Sequence, residues 1–408
     1  MHRVIVRVDI YCLCCKLIMV FLLNQTNVFG YLADLGYHSD ISTSKIEPVA
    51  AKNFNLLLTL GDDLRILVKQ EHHNQAGKAI GEFCAESRVH ESTRNFPPLN
   101  HWQSSISELL HFDRDNSILV FKYLDNYQDL MNFYAKENIF DGRIAQQLGT
   151  LLATFHRDTY NRAIYRLALS KDRQQSEPSI VKALIHSLEH LTPEVFGVVP
   201  DDGLKFYALY QRYDSLGQAL VELGDAVKAC CLTHNDLKLN NILLHNNWKQ
   251  PDRQIVRIID WERSDWGDPA FDLGILIASY LQIWLGSLVV SKSLSIEESL
   301  SLAITPLVAV ASPLENQVQP SIAILTRAYL QGFPEILIDR SDFLERVIQF
   351  AGLGLIQGIQ AEIDYHKTLG NISIAQLQVA KSLLCRPVQS MPTVFGTLDF
   401  LDQVLAVA

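Results

Sequence analysis

The rhythm of hydrophobic and polar positions changes along the chain. From Ile41 to Gln70 apolar residues come in short runs, "NLLLTL" and "LRILVKQ", separated by "GDD". A Gly-Asp-Asp turn between two such runs predicts a β-hairpin. Residues 76–94 shift to helical spacing, with Ala79, Phe83, Ala85 and Val89 among charges, and "SILVFKYL" at 117–124 returns to a strand. The first third thus reads strand, strand, strand, helix, strand, a mixed α+β lobe. After Tyr123 the pattern is helical. In "RIAQQLGTLLATFHRDTY", Ile144, Leu148, Leu151, Leu152 and Phe155 fall on one face, as a core helix requires. Region 160–230 also reads as helical, with a loop at "SKDRQQSEPS". "NNILLH" and "IVRIIDWE" predict a second hairpin, and nearly everything from residue 272 onward predicts helix. The apolar run "LGILIASYLQIWLGSLVV" is broken by Gln282 and by small residues, so a buried core helix is expected there rather than a membrane span.

Composition narrows the class. A chain of 408 residues predicts two lobes, and 48% apolar with 20% charged residues is the balance of a folded enzyme. A net charge of -10 argues against a nucleic-acid partner, which needs a basic face. The seven cysteines (Cys12, Cys14, Cys15, Cys84, Cys230, Cys231, Cys385) are odd in number and lack metal-ligand spacing, so free thiols in a reducing compartment are expected. Residues 1–23 imitate a signal peptide, with Arg3 and Arg7 ahead of apolar residues. Asp9 and Lys16 interrupt the run and no small-residue cleavage site follows. The expectation is a cytoplasmic protein with no stable membrane insertion, starting at Met19, with residues 1–18 an artefact of start assignment. The expected organisation is an N-terminal extension to residue 40, a nucleotide-binding lobe over 41–120 and a helical lobe over 121–408 with the catalytic loop and acceptor site.

The densest chemistry lies in "LTHNDLKLNNILL", residues 232–244. Phosphoryl transfer from a nucleotide needs a carboxylate to orient the acceptor hydroxyl, oxygen ligands for Mg2+ and a lysine for the phosphates. His234, Asp236 and Asn241 have the H-x-D-x-x-x-x-N spacing of kinase catalytic loops, with Asp236 as base and Asn241 as a Mg2+ ligand. The flanking Leu237, Leu239, Ile242, Leu243 and Leu244 are expected to bury and hold that geometry. Asp260, at the end of the next predicted strand, supplies a second hard oxygen ligand. Lys69 ends a strand after a hairpin, as the phosphate-pairing lysine of kinases does; Glu86 lies 17 residues later to pair with it, with Glu82 the alternative.

"HNDLKLNNIL" followed by "IDWE" and "GDPAFDLG" resembles the aminoglycoside phosphotransferase and choline kinase family, which has the protein-kinase-like fold: a bilobal α+β architecture with a small β-rich N-lobe and a larger helical C-lobe. The matched parts run in the family's order over residues 69–274 and include the helix "LGTLLATFHR". The resemblance implies that Asp236 is the catalytic base, that Asn241 and Asp260 bind Mg2+, that Lys69 contacts ATP phosphates and that His234 is structural. It implies further that Asp272 braces the catalytic loop and that Lys122, Tyr123 and Leu124 contact adenine through their backbone. The acceptor is then a hydroxyl of a small molecule such as an aminosugar or amino alcohol. The chain departs from the family in two places. The phosphate-covering loop should lie near "PVAAKNFN", which has no glycine and leaves Lys52 and Asn53 as its candidates. Lys238 stands where protein Ser/Thr kinases carry lysine and could steady the γ-phosphate. Lys238 keeps open a peptide kinase of the lanthipeptide-pathway type, and the glycine-free loop keeps open a non-catalytic scaffold.

Overall fold

The computed structural model describes residues 21–38, 44–49, 52–61, 64–74, 79–170, 179–189, 199–250, 254–288 and 318–396. The proposed start at Met19, the "CLCC" cluster and most of the predicted loop at "SKDRQQSEPS" lie outside the described residues. The chain divides into two compact units: residues 1–83 with 110–123, and residues 84–109 with 124–408.

In the smaller unit a short helix α1 (Val28–Asp34) precedes three strands, β1 (Lys45–Val49), β2 (Phe54–Leu60) and β3 (Leu64–Gln70). The predicted hairpin is present: β2 and β3 pair antiparallel, with Leu56 opposite Val68 and Leu58 opposite Ile66. Gly61 turns the chain with φ +62, a conformation open to glycine at no steric cost. Helix α2 spans Glu82–Asn95, so it starts six residues later than the periodicity suggests. The reason is local. Ala79 bridges His73 as an isolated strand pair, Gly81 has φ +89, and the Glu71 carboxylate accepts the backbone N–H groups of Gly81 (3.3 Å) and Glu82 (2.7 Å). A carboxylate on those two amides fixes the helix start. Strands β4 (Glu108–Asp113) and β5 (Ile118–Lys122) complete a sheet of order β1-β2-β3-β5-β4. The sequence pattern misses β4 because "ELLHFD" shows no clean alternation. Leu56, Leu58, Ile66, Val68, Ile118 and Val120 pack with Val28 and Leu32 as this unit's own core.

The larger unit is helical around two small sheets. Strand β6 (Tyr127–Asp129) leads into α3 (Leu130–Glu137), followed by α4 (Gly142–Thr159), α5 (Ala163–Leu169), α6 (Ile180–Glu189), α7 (Asp201–Tyr210) and α8 (Asp214–Asp225). Strands β7 (Cys231–Thr233), β8 (Ile242–His245), β9 (Val256–Ile258) and β10 (Asp265–Gly267) then carry the polar motifs. Helices α9 (Pro269–Leu288), α10 (Val318–Gly332), α11 (Glu335–Asp339), α12 (Phe343–His366), α13 (Asn371–Cys385) and α14 (Pro387–Phe395) complete it. The second predicted hairpin is β8 against β9, extended by β6, while β7 pairs with β10. The predicted face of α4 is buried at Ile144, Leu148, Leu152 and Phe155.

Helix α9 is long and apolar enough to cross a membrane, yet 78% of its most apolar window is buried inside the protein. It packs on α12 at close range: a Cβ on Gly274 would lie 2.5 Å from Phe350 Cβ and 2.8 Å from the Val347 carbonyl oxygen. Residues 84–109 cluster with this larger unit because Val89, Leu99, Trp102 and Ile106 join its core.

Candidate active site

The catalytic loop follows β7 and is built on one buried carboxylate. Asp272, in the first turn of α9, accepts the backbone N–H of His234 at 2.6 Å and of Asn235 at 2.8 Å. Its Oδ2 also lies 3.2 Å from His156 Nε2 on α4, whose Nδ1 is 2.9 Å from the Tyr329 hydroxyl on α10. Burial raises the Tyr329 pKa well above its ordinary value, so the hydroxyl keeps its proton and donates to His156 Nδ1. The His156 ring thus bridges the Asp272 carboxylate and the Tyr329 hydroxyl. The network ties α4, α10 and α9 to the loop.

Asn235 takes φ +63, and its position is over-determined: Thr233 Oγ1 donates to its Oδ1 at 3.0 Å and its Nδ2 donates to the Arg263 carbonyl at 3.1 Å. A non-glycine residue in that region is held only by such surroundings. The next residue is Asp236. Its backbone N–H donates to His234 Nδ1 (3.3 Å), and its carbonyl accepts from Asn241 Nδ2 (2.8 Å). His234 Nε2 in turn donates to the Ile259 carbonyl at 2.9 Å, and its ring packs on Trp261 with centroids 4.8 Å apart. The Asn241 carbonyl accepts the Ile259 N–H at 3.0 Å. His234 and Asn241 therefore each join the Asp236 loop to the chain just ahead of Asp260, which has φ +69. His234 acts through position. The buried Trp261 ring also contacts Phe155 at 5.0 Å, and its N–H donates to the Ile258 carbonyl, so it packs rather than walling a ligand site.

Around the carboxylate of Asp236 stand two cations. Lys238 Nζ is 2.7 Å from its Oδ1 and Arg263 Nη1 is 3.9 Å from the same oxygen. Lys238 thus pairs with the acid expected to act as base; Arg263 has no sequence signature and was not anticipated. Ligand oxygens of Asp260, Glu262 and Glu86 lie within 4.8 Å of one another, although Glu262 stands unassigned in "IDWE". Carboxylate oxygens are hard donors, the kind that suits Mg2+, and these three stand close enough together to share an ion.

Lys69, Lys122 and Tyr123 belong to the smaller unit. Lys69 lies on β3 over the Phe121 ring at 5.6 Å. Glu82, the alternative partner for Lys69, is bound instead by Lys52 at 2.5 Å. Of the proposed adenine contacts, the Tyr123 N–H is already donated to the Arg65 carbonyl at 2.9 Å, which removes it as a donor to a base. Leu124 begins the next stretch of the larger unit, where its carbonyl accepts from Tyr127 N–H at 3.1 Å.

Beside the loop, Lys238 and Asn240 open onto a cavity of about 1070 Å3 between α9, α12 and the start of α13. At the start of α9 stands a buried ion pair, Arg340 with Asp268 at 2.6 Å. Burial acts to lower the Arg340 pKa, but the Asp268 charge and hydrogen bond outweigh it and raise the pKa overall. Asp268 also accepts the backbone N–H of Lys228 and of Ala270, fixing the start of α9.

Residues 127–292, the segment holding Asp236, Asn241, Asp260 and Asp272, match the family described as "Phosphotransferase enzyme family". This segment is similar to that family. The whole chain resembles the ethanolamine kinase of Plasmodium vivax over 90% of each chain, with a TM-score of 0.52 and 13% identity. At that identity the likeness shows the fold, which is protein-kinase-like, with a β-rich smaller unit and a helical larger one. The choline kinase of Cryptosporidium parvum aligns with 14% identity and a TM-score of 0.46 over 93% of this chain and 98% of that one. No curated protein sequence matches the chain. The expectation of an ATP-dependent phosphotransferase agrees with that match.

Proposed function

We propose that the protein transfers the γ-phosphate of ATP to a hydroxyl of a small molecule held in the cavity beside Lys238. The observation that carries this reading is the braced loop: Asp272 holds two consecutive amides, and Asn241 holds the Asp236 carbonyl. A scaffold protein has no need of a carboxylate fixed this way beside a cavity. Asp236 accepts the acceptor's proton as the new O–P bond forms and the bond from phosphorus to the β,γ-bridging oxygen breaks, releasing ADP. Lys238 and Arg263 offset charge that builds on the transferring group. Asn241 and Asp260 would hold Mg2+, with Glu262 beside them, and the ion supplies neutralisation of the phosphate charge. Lys69 serves the ATP phosphates, and Glu86 sits with the metal-binding carboxylates. Backbone groups of Lys122 and Leu124 remain the adenine contacts.

The test is ADP release by the purified protein with Mg2+ and ATP, in wild type and Asp236→Asn. The substitution keeps size and hydrogen-bonding shape, and the expected loss is about 10²- to 10⁴-fold in kcat, as for removal of a general base. Equal turnover in the two proteins would remove Asp236 from the mechanism.

A further inference from the structure

The cavity's chemistry differs from what an amine-bearing acceptor requires. Five primary amides line it: Asn240, Asn371 and three glutamines, Gln282 on α9, Gln357 on α12 and Gln376 on α13. None of the three is hydrogen-bonded within the described residues. Each offers two N–H donors and a carbonyl acceptor, the complement of a hydroxyl that both donates and accepts. Apolar surface from Met131, Ile275 and Ala278 lies between them. Charge is sparse. Glu362 is the one carboxylate among the described lining residues, and its Oε2 is already 3.9 Å from His366 Nε2. The cavity floor carries the Lys238 ammonium.

A polyamine acceptor calls for several carboxylates to offset its charge, and a quaternary ammonium calls for an aromatic cage. The described lining offers a single phenol ring, Tyr365, which is 82% exposed. We propose that the acceptor is a neutral, hydroxyl-rich small molecule, a sugar or glycoside, oriented by the amides of Gln282, Gln357 and Gln376. This rests on the reading of Asp236 as the base. One acceptor hydroxyl gives its proton to Asp236 as its oxygen bonds the γ-phosphorus and ADP departs. The flat apolar patch meets the ring face, and the amides bind the remaining hydroxyls.

Gly358 offers a clean handle on this site. A Cβ there would lie 1.9 Å from Gln282 Nε2, and its three nearest atoms all belong to the flexible Gln282 side chain, so Gly358→Ala pushes that amide aside. Alanine also favours helix over glycine, so the fold is not put at risk. The experiment measures ADP release from the full chain with a panel of neutral sugars and glycosides, and with choline, ethanolamine and gentamicin. The expected result is stimulation by neutral members alone, with KM raised about tenfold in Gly358→Ala and in Gln282→Leu at unchanged melting temperature. The proposal is overturned if amines stimulate and neutral sugars do not, if no panel member stimulates a protein that does turn over ATP, or if neither variant moves KM. A wild type with no ATP turnover defeats the reading of Asp236 instead. Saturation-transfer NMR of the neutral panel on nucleotide-free protein then decides: binding weakened in both variants upholds the neutral-ligand assignment, and no binding overturns it.

Discussion

Asp272 shows how much of a site one side chain can hold. It accepts from two consecutive loop amides and from His156, and it is almost wholly buried. Asp272→Ala leaves those donors without partners, at about 1–3 kcal/mol for each buried group. We expect a lower melting temperature, by calorimetry, together with loss of phosphotransfer. Tyr329→Phe removes only the outermost hydrogen bond of the chain, and its expected cost is about 1 kcal/mol with activity kept. If Tyr329→Phe abolishes activity, the network does more than brace. The positions of Asp236, Asn241, Asp260 and Asp272 were legible because kinase chemistry fixes their spacing within one stretch of chain. His156 lies on the buried face of α4, and a polar residue on such a face is a usable signal. Its partners stand 116 and 173 residues away, a separation no local pattern encodes.

At the scale of elements, helix α4 positions His156, and its start depends on Asp141, whose side chain accepts the Arg143 N–H at 2.9 Å. Burial acts to raise the Asp141 pKa, but hydrogen bonds and charge from Arg143 outweigh it and hold the carboxyl below its ordinary value. A depressed carboxylate stabilises the fold above its unfolded pKa, and that contribution is lost as pH falls through the lower folded value. Asp141→Ala should therefore cost about 1 kcal/mol at neutral pH, the usual worth of such a cap, and the cost should shrink below about pH 4. Thermal unfolding at pH 7 and pH 3 checks this; a pH-independent difference would remove the cap as its cause. The hairpins and α4 were readable because their burial is one-sided. Helix α2 started late because a distant carboxylate, Glu71, outranks periodicity in setting where a helix begins. Within the glycine-free "PVAAKNFN" stretch, Lys52 is paired with Glu82.

At the scale of the whole molecule, two cores of different character were foreseeable from the change of rhythm near Tyr123. The assignment of residues 84–109 to the larger unit was not, since it depends on Trp102 and Ile106 packing against residues far along the chain. The apolar helix α9 reads as buried core for the same reason it reads as apolar, since α12 covers it along glycine-lined contacts. The cavity's amides were equally invisible, because Gln282, Gln357 and Gln376 come from three helices. The account as a whole stands on Mg2+-dependent use of ATP through Asp260. The most direct measurement is the melting temperature of wild type and Asp260→Ala with a non-hydrolysable ATP analogue, with and without Mg2+. Ligand that binds only the native state raises apparent stability, by about 2.7 kcal/mol at a hundredfold excess over Kd. The account predicts a Mg2+-dependent rise in wild type that Asp260→Ala loses; an equal rise in both proteins, or none in wild type, would contradict it.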